Sequence, residues 1–276
     1  MLTSSRHPRG TDRPFVRSTA VPRRYLMREL DSSPHPPPSV TVVGAGRLGS
    51  AIAPALREAG IAVTGPLPRG ASAGADAGVV LLCVDDAAIA EVAATLPAGL
   101  LVGHCSGATG LSALGRNEAF SLHPLLSVTA GHPTAFAGAG CAVAGSTESA
   151  LTVAHGLAAA LGMRAVEVAE HDRVAYHAAA SIAANFLTAL EGAAERLAAT
   201  AGVDRELLVP LVRGAVDNWS RLGARAALTG PIARGDEAVV DAQRAAVAAR
   251  TPELLELFDA MADATRRLAA EAGGSR

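Results

Sequence analysis

Gly44, Gly46 and Gly49 stand in the spacing G-x-G-x-x-G, within the run Gly44-Ala45-Gly46-Arg47-Leu48-Gly49. Glycines so spaced handle phosphate without using side chains. The first permits a tight turn, the second lets a pyrophosphate approach the backbone, and the third lets a helix pack closely on a strand. These six residues are the candidate cofactor contacts. A second group of candidates ends two successive apolar runs: His104 and Ser106 in Gly103-His104-Cys105-Ser106-Gly107, and His123 in Leu122-His123-Pro124. A third, His177, Ser181 and Asn185, is spaced i, i+4, i+8, which lines one face of a helix over about 12 Å. Imidazole titrates near neutral pH and can hand over a proton; hydroxyl and amide groups orient a polar substrate.

Chemistry of this kind needs elements to hold it. Val40-Thr41-Val42-Val43 is entirely β-branched and reads as a strand buried on both faces. The Ala-rich run after Gly49 reads as a helix closed by Gly60. Strand, glycine turn and helix together form the context that the phosphate motif requires, because the helix N-terminus offers free N–H groups to the anion. Further strands are predicted at 61–64, 79–84, 100–104, 119–122, 141–144 and 164–168, with helices near 87–96 and 147–161. In open α/β sheets ligands bind at the carboxyl ends of strands. That places His104, Ser106 and His123 at a site, together with Val84 at the end of the third strand as a further cofactor contact.

The second strand informs cofactor choice. An NAD site carries an acidic residue near there, about 20 residues past the first glycine, to bind the ribose 2′-hydroxyl. This chain has Thr64-Gly65-Pro66-Leu67-Pro68-Arg69 instead. A carboxylate would repel a 2′-phosphate and Arg69 would attract one, so NADP is favoured, with NAD possible.

Beyond about residue 168 the pattern is helical throughout. A helix from Asp172 to Ala201 is predicted, ended by Gly202. From Val174 to Leu190 it carries no charge, which predicts burial all round, against the nucleotide-binding half, other helices or a second subunit. Helices follow near Arg205–Leu222, Asp236–Ala249 and Pro252–Ala272. Between the first two, Thr229-Gly230-Pro231 makes a turn, Asp236 can cap a helix, and Arg234 can reach a substrate carboxylate.

Composition bounds the alternatives. The chain has 276 residues and net charge −2, which argues against a nucleic-acid or membrane-surface partner. No apolar run is long enough to span a bilayer. Cys83, Cys105 and Cys141 lack metal-binding spacing, so no metal site is expected, and they read as reduced thiols in a cytoplasmic protein. Residues 1–38, rich in Arg and Pro, read as a disordered extension, with Met27 as a possible true start. All 24 basic residues are Arg. A hydrolase elbow would need G-x-S-x-G, which Gly103–Gly107 does not supply.

Residues 39–270 resemble the 6-phosphogluconate-dehydrogenase-like superfamily, on the strength of GAGRLG, the long uncharged helix and Asn185. HCSG, SLHP, YHAAASIAANFL and TGPIARGD are similar to an uncharacterised branch of Rossmann-like oxidoreductases related to alternative ketopantoate reductases; pyrroline-5-carboxylate reductases belong to the wider group. The resemblance implies an α/β Rossmann domain over 39–168 followed by an all-α domain over 169–276, and the predicted burial of the long helix suggests a homodimer. The resemblance also implies NADPH-dependent reduction of a small 2-oxo or 3-oxo carboxylic acid, with Asn185 orienting the substrate. The family's helix carries K-x-x-x-N. Here the Lys position is Ser181, so the proton must come from elsewhere, and His123 and His177 are the candidates. Ser106, Ser181, His104 and Arg234 are the expected substrate contacts. Two alternatives remain open: a cyclic-imine reductase, and an NADP-binding regulator without turnover.

Overall fold

In the computed structural model the described residues are 39–68, 70–71 and 78–271. The extension at 1–38 and the proposed phosphate ligand Arg69 lie outside them. Seven strands form one sheet in the order β2-β1-β3-β4-β5-β6-β7. They are β1 (Val40–Val43), β2 (Val63–Leu67), β3 (Val79–Leu82), β4 (Leu101–His104), β5 (Glu118–Leu125), β6 (Gly140–Gly145) and β7 (Arg164–Glu167). All neighbours run parallel except β5 and β6, which are antiparallel. The chain starts on β1, steps outward to β2, then crosses to β3 on the other side, so the topological switch lies at the end of β1, where the glycine turn begins.

Strands β1 and β3 are buried on both faces, β4 to β6 largely so, whereas the edge strands β2 and β7 are not, and the alternation along the inner strands divides the core. Val40, Val42, Leu81, Phe120 and Leu122 face one layer, where α1 (Arg47–Glu58) and α3 (Glu148–Ala160) supply Ile52, Leu56, Ala154 and Leu157. Val43, Val80, Leu82 and Val102 face the other, against Ile89 and Val92 of α2 (Ile89–Ala94). Burial of each large side chain stabilises by about 1.5–3 kcal/mol. Thr147 caps α3 by accepting from the Ala150 N–H at 3.1 Å.

From Glu170 onward the described elements are all helical. The long helix consists of α4 (Arg173–Ser181), a π turn (Ile182–Phe186) and α5 (Leu187–Ala199). Then come α6 (Arg205–Ala227), a short α7 (Pro231–Arg234), α8 (Glu237–Arg250) and α9 (Leu255–Ala270). Asp236 caps α8 as expected, accepting from the Val239 N–H. Helix α6 runs beyond the expected Leu222, across a break at Gly223, where φ is 76° and ψ is 165°.

One expectation is corrected. The uncharged helix is not buried all round within this chain: Val174, Ile182 and Phe186 are 70%, 60% and 62% exposed. Its lack of charge has another physical cause, an apolar face that no other part of the described chain covers. No helix among the described residues is long and apolar enough to cross a membrane.

Candidate functional site

The glycine turn connects β1 to α1. Gly44 has φ of 111°, and a Cβ there would lie 2.3 Å from the Cys83 carbonyl oxygen, so the turn itself requires glycine. A Cβ on Gly49 would lie 1.8 Å from the Gly44 oxygen, so helix and turn pack too closely for any side chain. Gly46 differs. Its backbone is extended, with φ −75° and ψ −170°, and a Cβ there would meet nothing within 4 Å. Nothing among the described residues demands glycine at that position; the space it leaves lies at the N-terminus of a 12-residue helix with no acidic residue in its first turn. Opposite lies a cleft of about 370 Å³, bounded by Gly46, Arg47 and Ser50 on one side and by residues 128–134 on the other. None of the lining residues is acidic. The arrangement suits an anion, as a pyrophosphate cradle must.

The second site feature lies at the ends of β4 and β5. His123 and the glycine turn are separated by three strand spacings, about 14 Å at roughly 4.8 Å each. Arg173, the first residue of α4, is 1% exposed. Its guanidinium donates to Ser121 Oγ at 2.9 Å and to the Ser106 carbonyl at 2.8 Å, tying the helix to both strands. Among the described residues no carboxylate forms an ion pair with it, and its Nε has no partner. Burial pulls its pKa below the usual arginine value. One turn on, Tyr176 hydroxyl and His123 Nδ1 are 2.8 Å apart, with the rings edge to face. His177 meets the same imidazole, ring centroids 6.0 Å apart. Both histidines close over Gly107, where a Cβ would lie 2.7 Å from His177 and 2.8 Å from His123.

The electrostatics follow from this packing. Burial, then the His177 and Arg173 charges, hold His123 down to about 4, and burial with Arg173 does the same to His104. Burial pushes Tyr176 up to about 12. Both strand-end histidines are therefore neutral at pH 7, and His123 is not a ready-charged acid. His104 has no exposed surface; its Nδ1 accepts from the Ser106 N–H at 3.2 Å, which puts its proton on Nε2. Ser106 is 6% exposed, and its hydroxyl accepts from the Ala108 and Thr109 N–H groups. His104 and Ser106 form the floor of the site.

A stability consequence follows. The folded histidines refuse protons that the unfolded chain accepts near pH 6.5, so the unfolded state binds more protons between about 6.5 and 4. Stability is present above pH 6.5 and falls as pH falls through that window, by at most roughly 3 kcal/mol per histidine. Thermal unfolding at pH 5 should occur below that at pH 7.5, and His123→Gln should flatten the difference; a pH-independent Tm in both proteins would contradict it.

The structure thus brings His104, Ser106, His123 and His177 together, and adds three residues that the sequence did not single out: Arg173, Tyr176 and Ser121. Ser181 is half-buried one turn beyond His177, and Asn185 lies on the π turn with its side chain exposed. Four-residue steps overshoot a full α-helical turn, and a wider π turn takes up the overshoot, so Asn185 stays nearly in line with His177. Arg234 is exposed on α7, which packs against α8 and α9 rather than at the strand ends. Val84 approaches Gly44, its Cγ1 lying 3.2 Å from where a Cβ would be. Among the described residues no group of three or more His, Cys, Asp or Glu is placed to hold a metal ion.

Residues 139–265 match a family described as a domain of unknown function, DUF2520. No curated protein matches the sequence. Among solved structures, BF3122 of Bacteroides fragilis, provisionally assigned as an NADP oxidoreductase, has TM-score 0.74 at 18% identity, over 83% of this chain and 98% of that one. A reductive aminase of Aspergillus terreus in complex with NADPH and ethyl levulinate has TM-score 0.61 at 18% identity, over 87% and 99%. Pyrroline carboxylate reductase of Plasmodium falciparum, with NADP bound, has TM-score 0.53 at 13% identity, over 85% and 99%. The fold is therefore a Rossmann-type α/β unit followed by a helical one.

Proposed function

We propose that this chain is an NADPH-dependent reductase of a small 2-oxo or 3-oxo carboxylic acid, working as a homodimer. The observation that carries the reading is the Arg173–His123–Tyr176 cluster, set across the strand ends from an open glycine turn. The turn fits a dinucleotide: the space at Gly46 is empty of protein, the cleft lining has no acid, and Thr64–Pro68 at the end of β2 has none to repel a 2′-phosphate. The NADPH and NADP carried by two of the structural neighbours support that choice. Gly44, Ala45, Gly46, Arg47, Leu48, Gly49 and Val84 hold the cofactor. Bound there, NADPH supplies the hydride.

The rest is done by this chain's own side chains. Oxygen that gains charge as a carbonyl is reduced needs a proton and a positive field. The field comes from Arg173, whose buried guanidinium is in no ion pair among the described residues. The proton comes from the Tyr176 hydroxyl, because a group at about 12 protonates an alkoxide readily, while His123 is neutral at pH 7. His123 and His177 hold the phenol in place, and His104 and Ser106 support them. Asn185 and Ser181 orient the substrate, and Arg234 clamps its carboxylate from a second copy of the chain.

A specific observation favours the second reading, reduction of a cyclic imine. An imine that arrives protonated needs no acid, which suits neutral histidines. A panel separates the readings: NADPH oxidation by the purified protein with ketopantoate and related oxo acids, against pyrroline-5-carboxylate. Turnover of oxo acids alone is the expected result. Imine turnover alone selects the second reading. NADPH binding with no turnover of either class leaves a non-catalytic binder.

A further inference from the structure

The segment joining β5 to β6 closes the far side of the cleft from the glycine turn. Its two ends are anchored: Leu126 packs against the core, and Phe136 is 4% exposed within it. Between them residues 129–133 are exposed. Their conformation is a turn, with the His132 N–H 3.3 Å from the Thr129 carbonyl and Gly131 at φ of 77°. Thr129, His132 and Thr134 line the cleft on this side, opposite Arg47 and Ser50. Every side chain in this set with a polar head can donate a hydrogen bond, and none carries negative charge.

We propose that the 128–134 segment is the second wall of the dinucleotide site, closing on the diphosphate so that His132 and Thr129 complete from above the anion cradle that α1 begins from below. The inference rests on the dinucleotide reading of the glycine turn and extends it to residues that the glycine motif does not include. A diphosphate carries more acceptor oxygens than one helix N-terminus can serve, and the remaining ones face this segment. Fixed ends and an exposed centre let the segment settle on the ligand without disturbing the sheet. Its contribution falls mainly on how long the cofactor stays, because a group that closes after arrival slows departure more than encounter.

The test uses the full-length chain and NADPH, with affinity and off-rate read from cofactor fluorescence. The Thr129→Val/His132→Ala double variant should keep the wild-type Tm, since both residues are exposed. Its Kd for NADPH should rise about 10-fold, mostly through a faster off-rate, consistent with loss of charge-assisted hydrogen bonds to phosphate. AMP, which has no diphosphate, should bind both proteins alike. His132→Gln, which keeps a donor, should recover part of the loss. If wild type binds NADPH and the double variant binds it as tightly, the second wall is overturned while the dinucleotide reading stands. If wild type binds no dinucleotide, both are overturned.

Discussion

Tyr176→Phe should lower turnover of any accepted oxo acid by about 100- to 10,000-fold while leaving the Kd for NADPH unchanged, the range lost when a positioned proton donor is removed. The substitution deletes one oxygen and keeps the ring that packs edge to face on His123. Folding and cofactor binding should survive, which makes the loss interpretable. The pH profile carries a second signature. In wild type, activity should hold across neutral pH, because Tyr176 titrates near 12 and His123 near 4. Removing Arg173 as Arg173→Met should raise the lower limb of that profile, since one of the charges depressing His123 is gone. A Tyr176→Phe enzyme with wild-type kcat would move the proton donor elsewhere, and His177 would be the next side chain to replace.

The route from sequence to this cluster was uneven, for identifiable reasons. Val40–Val43 and the glycine turn were legible because their pattern is local: β-branched residues, then a spacing that few other structures require. His104 and His123 were legible because a polar residue ending an apolar run stands at a sheet edge where ligands bind. Arg173 and Tyr176 were not. An arginine at the start of a helix reads as a solvated first-turn charge, and only tertiary packing reveals that it is buried between two strands. Tyr176, Arg173 and His177 do share the i, i+3, i+4 relation of one helix face, and that relation, applied backwards from His177, was the available signal. The π turn had none, since an Ala-rich run is compatible with either winding. The long helix shows the limit of composition. Missing charge predicted burial all round, whereas the described chain leaves Val174, Ile182 and Phe186 exposed.

If the proposed homodimer forms, replacing Leu211 and Phe186 together with Asp should convert it into a monomer at micromolar concentration. Helix α6 carries Leu207, Leu211, Ala215, Trp219 and Leu222, a stripe along one side; Leu207, Leu211, Trp219 and Leu222 are 57–71% exposed. The uncharged helix adds Val174, Ile182 and Phe186. An exposed apolar surface of this extent is what the proposed interface would need. In a two-fold assembly each substitution is made twice, and each buried Leu or Phe accounts for about 1.5–3 kcal/mol. Light scattering on both proteins decides the matter, and a monomeric wild type would refute the dimer. If a second copy supplies Arg234, the monomeric variant should also lose turnover at fixed NADPH affinity.

Arg173 has a mechanical consequence. A single buried guanidinium grips the ends of β4 and β5 at once, and swinging the helix away would strand a positive charge, a serine hydroxyl and a carbonyl without partners. Any opening and closing of the helical half over the sheet must therefore pivot about that point. Movement would be least at Tyr176 and His123, which pack beside that anchor, and greater toward the far end of the lever.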